Sequence, residues 1–556
     1  MSHPLFEKHR ATLEAALDAL AKRGYWTPYP ESPSPRNYGE HANAEAKARF
    51  ETQLNRPFEF DQPGSDGRVG GETSPYGFAL GITYPKPDID ALIRAAQAAL
   101  PAWRRAGVET RVGVCLEILA RINQASFDIA YAVMHTTGQG FVMAFQAAGP
   151  HAQDRGLEAT ACAYAEMIRV PGAARWEKPQ GKAEPIRLDK RYAIVPRGVG
   201  LVIGCSTFPT WNGYPGIFAD LATGNPVIVK PHPNAILPLA ISVRIARQVL
   251  AESGFDPNLV TLAVDDAGAP IAQALATRPE IALVDYTGGP EFGGWLENNA
   301  RQAMLFAEKA GVNFVVIDST SDFKGLTGNL AFSLSLYSGQ MCTTPQNVFA
   351  PKGGIETDQG HKSFDDVARA IAEAIDKLLA DPARAVEILG AIQNRATLER
   401  IDRAAREGHV VLASRTLAHP QFANATVQTP IIVKLDAKRE DVYMKENFGP
   451  VTYVIATEST AESLARAMKG VRMKGALTGL VHSSDPTVID EAVELAAEAG
   501  VALSCNLTGG VFVNQSAAFS DFHATGCNPA ANASLTDAAF VANRFRIVQS
   551  RIPAAA

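Results

Sequence analysis

Apolar positions along the chain fall into three successive patterns. Over residues 5–23, Leu5, Leu13, Ala16, Leu17 and Leu20 recur at helical spacing, and a proline-rich stretch over residues 25–36 follows. This predicts a helix and then a docking segment ahead of the main body. Residues 89–167 are almost wholly helical in pattern, as around Leu116-Glu117-Ile118-Leu119. Beyond them, strand and helix alternate.

Residues 192–196 and 199–204 read as buried strands, followed by a helix to Ala222 and a third apolar strand over 226–230. A helix over 240–253 and strands over 260–264 and 281–287 continue the cycle. Alternation at this spacing predicts an α/β fold with a doubly wound parallel sheet, which binds ligands at the carboxyl ends of its strands. A second alternating region begins near Ala310 and runs past Val501, with strands over 314–317 and 410–412. Residues 172–190 are polar and basic, as in an exposed hairpin or an oligomerisation arm.

A length of 556 residues allows two or three domains, and 46% hydrophobic with 20% charged residues matches a soluble globular chain. The net charge of −6 gives no reason to expect nucleic acid or an anionic membrane as partner. No stretch has the pattern of a signal peptide or the roughly 18 apolar residues of a membrane span, so a cytoplasmic location is expected. Six cysteines at 115, 162, 205, 342, 505 and 527 form no C-x-x-C pair, and no metal site is expected.

One cysteine stands apart. Cys342 follows Tyr337-Ser338-Gly339-Gln340-Met341, thirty-four residues after Glu308. A thiolate is a strong nucleophile, and a carboxylate nearby can activate water to release what the sulfur has captured. Four further motifs accompany the pair in order. They are Gly198-Val199-Gly200-Leu201-Val202-Ile203-Gly204-Cys205-Ser206-Thr207-Phe208-Pro209, then Gly224-Asn225-Pro226-Val227-Ile228-Val229-Lys230-Pro231, then Thr287-Gly288-Gly289-Pro290-Glu291-Phe292-Gly293, then Glu446-Asn447-Phe448-Gly449-Pro450.

In this order and spacing the motifs resemble the aldehyde dehydrogenase superfamily, over about residues 75–525. The resemblance implies a Rossmann-type parallel-sheet cofactor domain, an α/β catalytic domain and a small oligomerisation arm. Residues 1–170 and 196–307 then hold the N-terminal helices and cofactor domain, 308–526 the catalytic domain, and 171–195 with 527–556 the arm and tail. It implies that Cys342 attacks an aldehyde to give a thiohemiacetal, that hydride loss leaves a thioester, and that Glu308 is the base for hydrolysis. Lys230, Gly288, Gly289, Gly293, Glu446 and Phe448 would bind the cofactor. Gly289 stands where the family commonly has serine.

Two departures from the family pattern matter. Many NAD-preferring relatives carry a glutamate three residues after the lysine, where this chain has Pro233; with His232 as an added donor, NADP is expected over NAD. The family's oxyanion-binding asparagine before Phe-Pro is Thr207 here, and Asn212, five residues on, is the other candidate for that role.

Residues 25–30, the turn Phe208-Pro209-Thr210-Trp211-Asn212-Gly213 and the segment 519–529 resemble the PaaN-type dehydrogenases of phenylacetate degradation. That narrower resemblance implies a semialdehyde carried on coenzyme A and, with only about thirty residues after the dehydrogenase body, a separate hydratase-like protein that opens the ring; the superfamily resemblance implies a homodimer or homotetramer. A CoA-acylating dehydrogenase and a catalytically silent binding protein remain open as alternatives. A papain-like hydrolase is not expected, because no histidine stands in the partner context and the cofactor motifs would go unexplained.

Overall fold

The computed structural model of the protein describes residues 4–64, 67–309 and 311–554. Ala310, near the expected start of the second alternating region, lies outside them. Helices α1 (Pro4–Lys22), α2 (Ile89–Arg105), α3 (Val108–Gln124), α4 (Ser126–Thr137) and α5 (Ala152–Ile168) form the helical opening. The apolar stripe of α1 buries Phe6, Leu13, Ala16 and Ala19. It lies on α3 at Gly113, where a Cβ would come within 2.5 Å of the Phe6 backbone nitrogen.

Strands β1 (Ala173–Gln180) and β2 (Ala183–Pro196) pair as an antiparallel, largely exposed hairpin. Residues 192–196 therefore correct the sequence reading. They end this hairpin rather than joining the buried sheet, because their β-branched and aromatic side chains sit half-exposed on one face.

The next five strands are β3 (Val199–Ile203), β4 (Val227–Lys230), β5 (Val260–Leu262), β6 (Ile281–Gly288) and β7 (Met304–Lys309), in the parallel order β7-β6-β3-β4-β5. The chain leaves β3 toward β4 on one side and reaches β6 on the other, so the switch point lies between β3 and β6. Helix α6 (Pro209–Thr223) covers β3 and ends at Gly224, whose φ of 101° suits glycine. Buried side chains take up its last carbonyls: Trp103 Nε1 donates to Leu221 O at 2.9 Å and Arg111 Nε to Ala222 O at 3.0 Å.

A second sheet is built from β8 (Phe314–Ile317), β9 (Asn347–Pro351), β10 (His409–Leu412), β11 (Ile431–Asp436), β12 (Val451–Thr457), β13 (Thr478–His482) and β14 (Ala502–Cys505). Their order is β10-β11-β12-β9-β8-β13-β14, parallel except for edge strand β10. Only residues 310–313 separate β7 of the first sheet from β8 of the second.

The C-terminal segment serves both the core and the arm. Ala530 and Asn532 run along β7, with Lys309 N donating to Ala530 O at 2.6 Å and Ala307 N to Asn532 Oδ1 at 2.7 Å. Strand β15 (Phe545–Pro553) then pairs antiparallel with β2. Residues 527–556 are thus more than an arm, since their first part closes the sheet edge beside Glu308.

Arg544 binds this tail to the sheet. Its fully buried guanidinium donates to Asp220 Oδ1 at 2.7 Å and to Asp285 Oδ2 and Oδ1 at 2.8 and 2.5 Å. Burial pushes Asp220 up to about 7, even though Arg544 draws it down. Removing Arg544 leaves two buried carboxylates without a counter-charge. Arg544→Ala should lose about 3–5 kcal/mol in denaturant titrations near pH 8. A carboxyl raised by folding stabilises the fold below its unfolded value and loses that contribution as pH rises, so the deficit should shrink toward pH 5.

Candidate active site

Glu308 ends strand β7, in register with Thr287 of β6, and its side chain is buried at 4% exposure. Cys342 lies after helix α9 (Phe323–Ser335) in the second unit. The chain reaches it through three successive left-handed residues, Tyr337, Ser338 and Gly339, with φ of 52°, 48° and 63°. Two of these are not glycine, and each costs on the order of 1–3 kcal/mol unless its surroundings enforce it.

Those surroundings are polar and buried. Ser338 Oγ donates to Leu389 O and Gln428 O, both at 3.0 Å, and Tyr337 Oη donates to Thr137 O. Gln340 Nε2 bonds Tyr337 O at 3.2 Å and Ala391 O at 3.1 Å, while Gln393 Nε2 reaches Ser206 O at 2.7 Å. Asn313, at the crossover between the sheets, donates to Cys342 O at 2.7 Å and to Thr344 O at 3.1 Å. A Cβ on Gly339 would lie 2.4 Å from Gly449 O, so this glycine admits the Phe448-Gly449-Pro450 segment against the cysteine turn.

Two cavities meet at Cys342. One of about 480 Å³ is lined by Thr207, Lys230, His232, Gly288, Gly289, Glu446 and Phe448, which brings the expected cofactor residues together. Gly293 departs from expectation. It does not line this cavity; a Cβ there would meet the Lys309 side chain at 2.6 Å, so its smallness serves packing of helix α8 (Pro290–Asn299) on β7.

Within this cavity, Lys230 Nζ sits 2.6 Å from Asp265 Oδ1, so a buried acid already neutralises it. Burial and the Lys230 charge push His232 down to about 4, which leaves it neutral at pH 7. Burial raises Glu446 to about 7 against the pull of Arg400. Arg400 also donates to Phe448 O at 2.7 Å, and Gln346 Oε1 accepts from Asn447 N at 2.8 Å, which fixes the segment opposite the cysteine loop.

The other cavity, about 720 Å³, is lined by Trp26 and Tyr29 of the N-terminal segment, by Met143, Trp211 and Phe332, and by Phe512. Phe208, Asn212 and Cys342 line both cavities, whereas Thr207 lines only the first. Cys205 Sγ lies 3.6 Å from Asn212 Oδ1 as its donor, and the buried Asn212 Nδ2 has no hydrogen-bond partner. An unpaired amide N–H₂ beside the thiol is a donor ready for an oxyanion.

His523 is the site residue that sequence reasoning missed. Its Nε2 lies 3.1 Å from Glu308 Oε2, and the ligand atoms of Glu308, Cys342 and His523 all fall within 4.8 Å of one another. This corrects the expectation that no histidine accompanies the cysteine. The only hint was its place in the 519–529 segment, where nothing local marks a histidine that tertiary folding brings to Glu308. Such a sulfur, nitrogen and oxygen set also has the chemistry to accept a divalent cation.

The charges follow from burial and neighbours. Burial pushes Glu308 up, but His523, the Cys342 thiol and the more distant Arg155 outweigh it and hold the carboxyl below its usual range. Burial, the Glu308 carboxylate and Cys205 push the Cys342 thiol well above its ordinary value. The resting pair is a carboxylate facing a protonated thiol.

A thiol near a buried carboxylate, beside a cavity at the switch point of a parallel sheet, matches the layout expected of a covalent oxidoreductase. The family model for the aldehyde dehydrogenase family matches residues 83–528, and the chain belongs to that family. The solved structure of an NAD-dependent aldehyde dehydrogenase from Burkholderia multivorans is 61% identical over 100% of both chains, with a TM-score of 0.98. An NAD(+) benzaldehyde dehydrogenase of Pseudomonas putida is 24% identical over 70% of this chain and 76% of its own length. An aldehyde dehydrogenase of Fusarium sp is 25% identical, covering 77% of this chain and 82% of its own.

Glu446 generates a pH signature. A carboxylate accepts hydroxyl donors more strongly than its acid does, so a Glu446 that held the ribose would make the KM for the nicotinamide cofactor fall as pH rises through about 7. Glu446→Gln should abolish that inflection and raise the KM at pH 8 toward the acid-limb value, as measured by initial rates.

Proposed function

We propose that the protein oxidises an aldehyde to a carboxylic acid through a thioester on Cys342 that water resolves. The observation that carries this reading is the ionised, buried Glu308 within 4.8 Å of the protonated Cys342, which itself lies where the two cavities meet. Glu308 takes the thiol proton, and the thiolate sulfur bonds to the aldehyde carbon. The alkoxide that forms is held by Asn212 Nδ2. When bound, the nicotinamide supplies the hydride acceptor. Glu308 passes the thiol proton to solvent, the net proton the oxidation releases, and then serves as base for the water that frees the acid.

For the cofactor, NAD is the better reading. Pro233 pointed to NADP, but a neutral His232 and a Lys230 already paired with Asp265 leave little positive charge for a 2′-phosphate. The Burkholderia multivorans relative, described as NAD-dependent, supports the same choice. The groove residues fit either dinucleotide: Glu446 would accept ribose hydroxyls, Phe448 would flank the ring, and Gly289 leaves open space for backbone approach.

The substrate reading is a bulky, largely apolar aldehyde. Tyr25, Val142 and Val511 line the 720 Å³ cavity and are exposed, which gives it an open apolar rim. A CoA-linked semialdehyde of phenylacetate catabolism is the particular substrate proposed, on the resemblance of residues 25–30, 208–213 and 519–529 to the PaaN-type dehydrogenases. Hydrolysis is favoured over acyl transfer to coenzyme A because a buried base for water is otherwise unexplained. The exposed hairpin β1–β2 with β15 is proposed as the arm through which copies assemble into a dimer or tetramer.

Asn212→Ala should lower kcat by about 10²–10³-fold, whereas Thr207→Ala should cost less than about tenfold. The reverse order in steady-state assays would move the oxyanion role to Thr207. Initial rates should also be higher with NAD than NADP, and higher with CoA-linked semialdehydes than with short aliphatic aldehydes. Adding free coenzyme A should leave the acid as product; accumulation of acyl-CoA would establish the acylating alternative.

A further inference from the structure

Three buried polar atoms converge beside the Cys342 sulfur. Glu308 Oε1 and Oε2 and His523 Nε2 have no hydrogen-bond partner, although Nε2 and Oε2 are only 3.1 Å apart. The histidine and carboxylate touch without the alignment that a direct hydrogen bond requires, so both keep their hydrogen-bonding capacity.

The placement of His523 is well determined. Its backbone exchanges two 2.9 Å hydrogen bonds with Leu535, and its ring meets the edge of Trp211 at 4.7 Å and 75°. Several other polar atoms nearby are already engaged. Arg155 lies over the far side of Trp211 and bonds Glu158 Oε2 at 2.7 Å and Asp521 O at 3.2 Å. Asp154 accepts from Thr27 at 2.8 Å, and Asn212 Oδ1 is taken by Cys205.

Hydrolysis needs a water within reach of Glu308 and of the acyl carbon on Cys342 Sγ. Glu308 Oε2 and His523 Nε2 are 3.1 Å apart and the Cys342 ligand atom lies within 4.8 Å of theirs, so one water can bond the carboxylate and the imidazole while facing an acyl group on the sulfur. In either ring tautomer His523 Nε2 offers that water a partner, donating to its oxygen or accepting one of its protons.

We propose that His523 is a catalytic residue of the hydrolytic half-reaction, holding with Glu308 the water that attacks the Cys342 thioester. The inference rests on hydrolysis as the second half of the reaction. The water oxygen bonds to the acyl carbon as one water proton passes to Glu308. Collapse breaks the carbon–sulfur bond, and Glu308 returns the proton to the leaving thiolate. The products are the acid and the Cys342 thiol, with no change of oxidation state in this step. Fixing the water by two side chains from different segments favours attack by water over attack by a larger thiol, because orientation is set before the thioester forms.

Stopped-flow reduction of NAD with the full-length enzyme and benzaldehyde as probe tests this. In His523→Phe, assayed near pH 9 so that Glu308 stays ionised without the histidine, the first turnover should stay within about threefold of wild type while steady-state turnover falls about 10²-fold, giving a burst of one equivalent per site. Intact-mass measurement should show the acyl adduct on Cys342, and hydroxylamine should restore turnover by releasing the hydroxamate. His523→Gln keeps a polar group in the same pocket and should show the same burst with a smaller loss; it serves as the test should the phenylalanine variant fail to fold. First-turnover and steady-state rates that fall together, or a steady state that does not change, overturn the role of His523. Failure of the wild type to release acid would instead overturn the hydrolytic reading itself.

Discussion

A charged carboxylate kept inside the protein opposite a thiol is the constraint on which the rest of the structure depends. Burying Glu308 without partners would cost several kcal/mol, and the usual outcome would be a neutral acid unable to take a proton. The fold avoids that outcome by placing Glu308 at the end of a parallel strand, with His523 at 3.1 Å and Cys342 within 4.8 Å. The returning tail pairs with β7 through Ala530 and Asn532 and seals the strand edge at that point.

The same constraint couples the two sheets. Residues 310–313 are the whole crossover between β7 and β8, and Asn313 at its end donates to the Cys342 carbonyl while accepting from Leu477 N at 2.8 Å and Thr478 N at 3.1 Å. The base and the nucleophile therefore belong to different sheets but share one short covalent link. The left-handed turn before Cys342 holds its strained shape because buried glutamine, serine and tyrosine side chains fill its hydrogen-bonding needs. A shift of either sheet would be felt at both ends of the thiol–carboxylate pair.

Much of this architecture is legible in the chain. Strands β3, β4, β5 and β6 announce themselves as continuous apolar runs because parallel strands are covered on both faces. The thiol, the carboxylate and the cofactor residues sit in local motifs whose glycines and prolines mark turns at strand ends. Residues 192–196 misled because a half-exposed hairpin strand with Tyr192, Ile194 and Val195 has much the same composition as a buried one. Gly293 misled because a glycine needed for close packing against Lys309 looks the same in sequence as one needed for a phosphate.

What the sequence determined by itself was the expected class of chemistry: a cysteine and a glutamate in local motifs, and a parallel sheet whose apolar strands recur from Val199 to Lys309. Tertiary structure decided how those groups are tuned. The pairing of Lys230 with Asp265, the free amide of Asn212 aimed past Cys205, and His523 against Glu308 all join segments distant in the chain. Local patterns carry backbone preference and amphipathicity, whereas the charge state of a buried group depends on what packs around it from elsewhere. For that reason the reaction class could be read along the chain, but the histidine beside Glu308 became visible only in the folded protein.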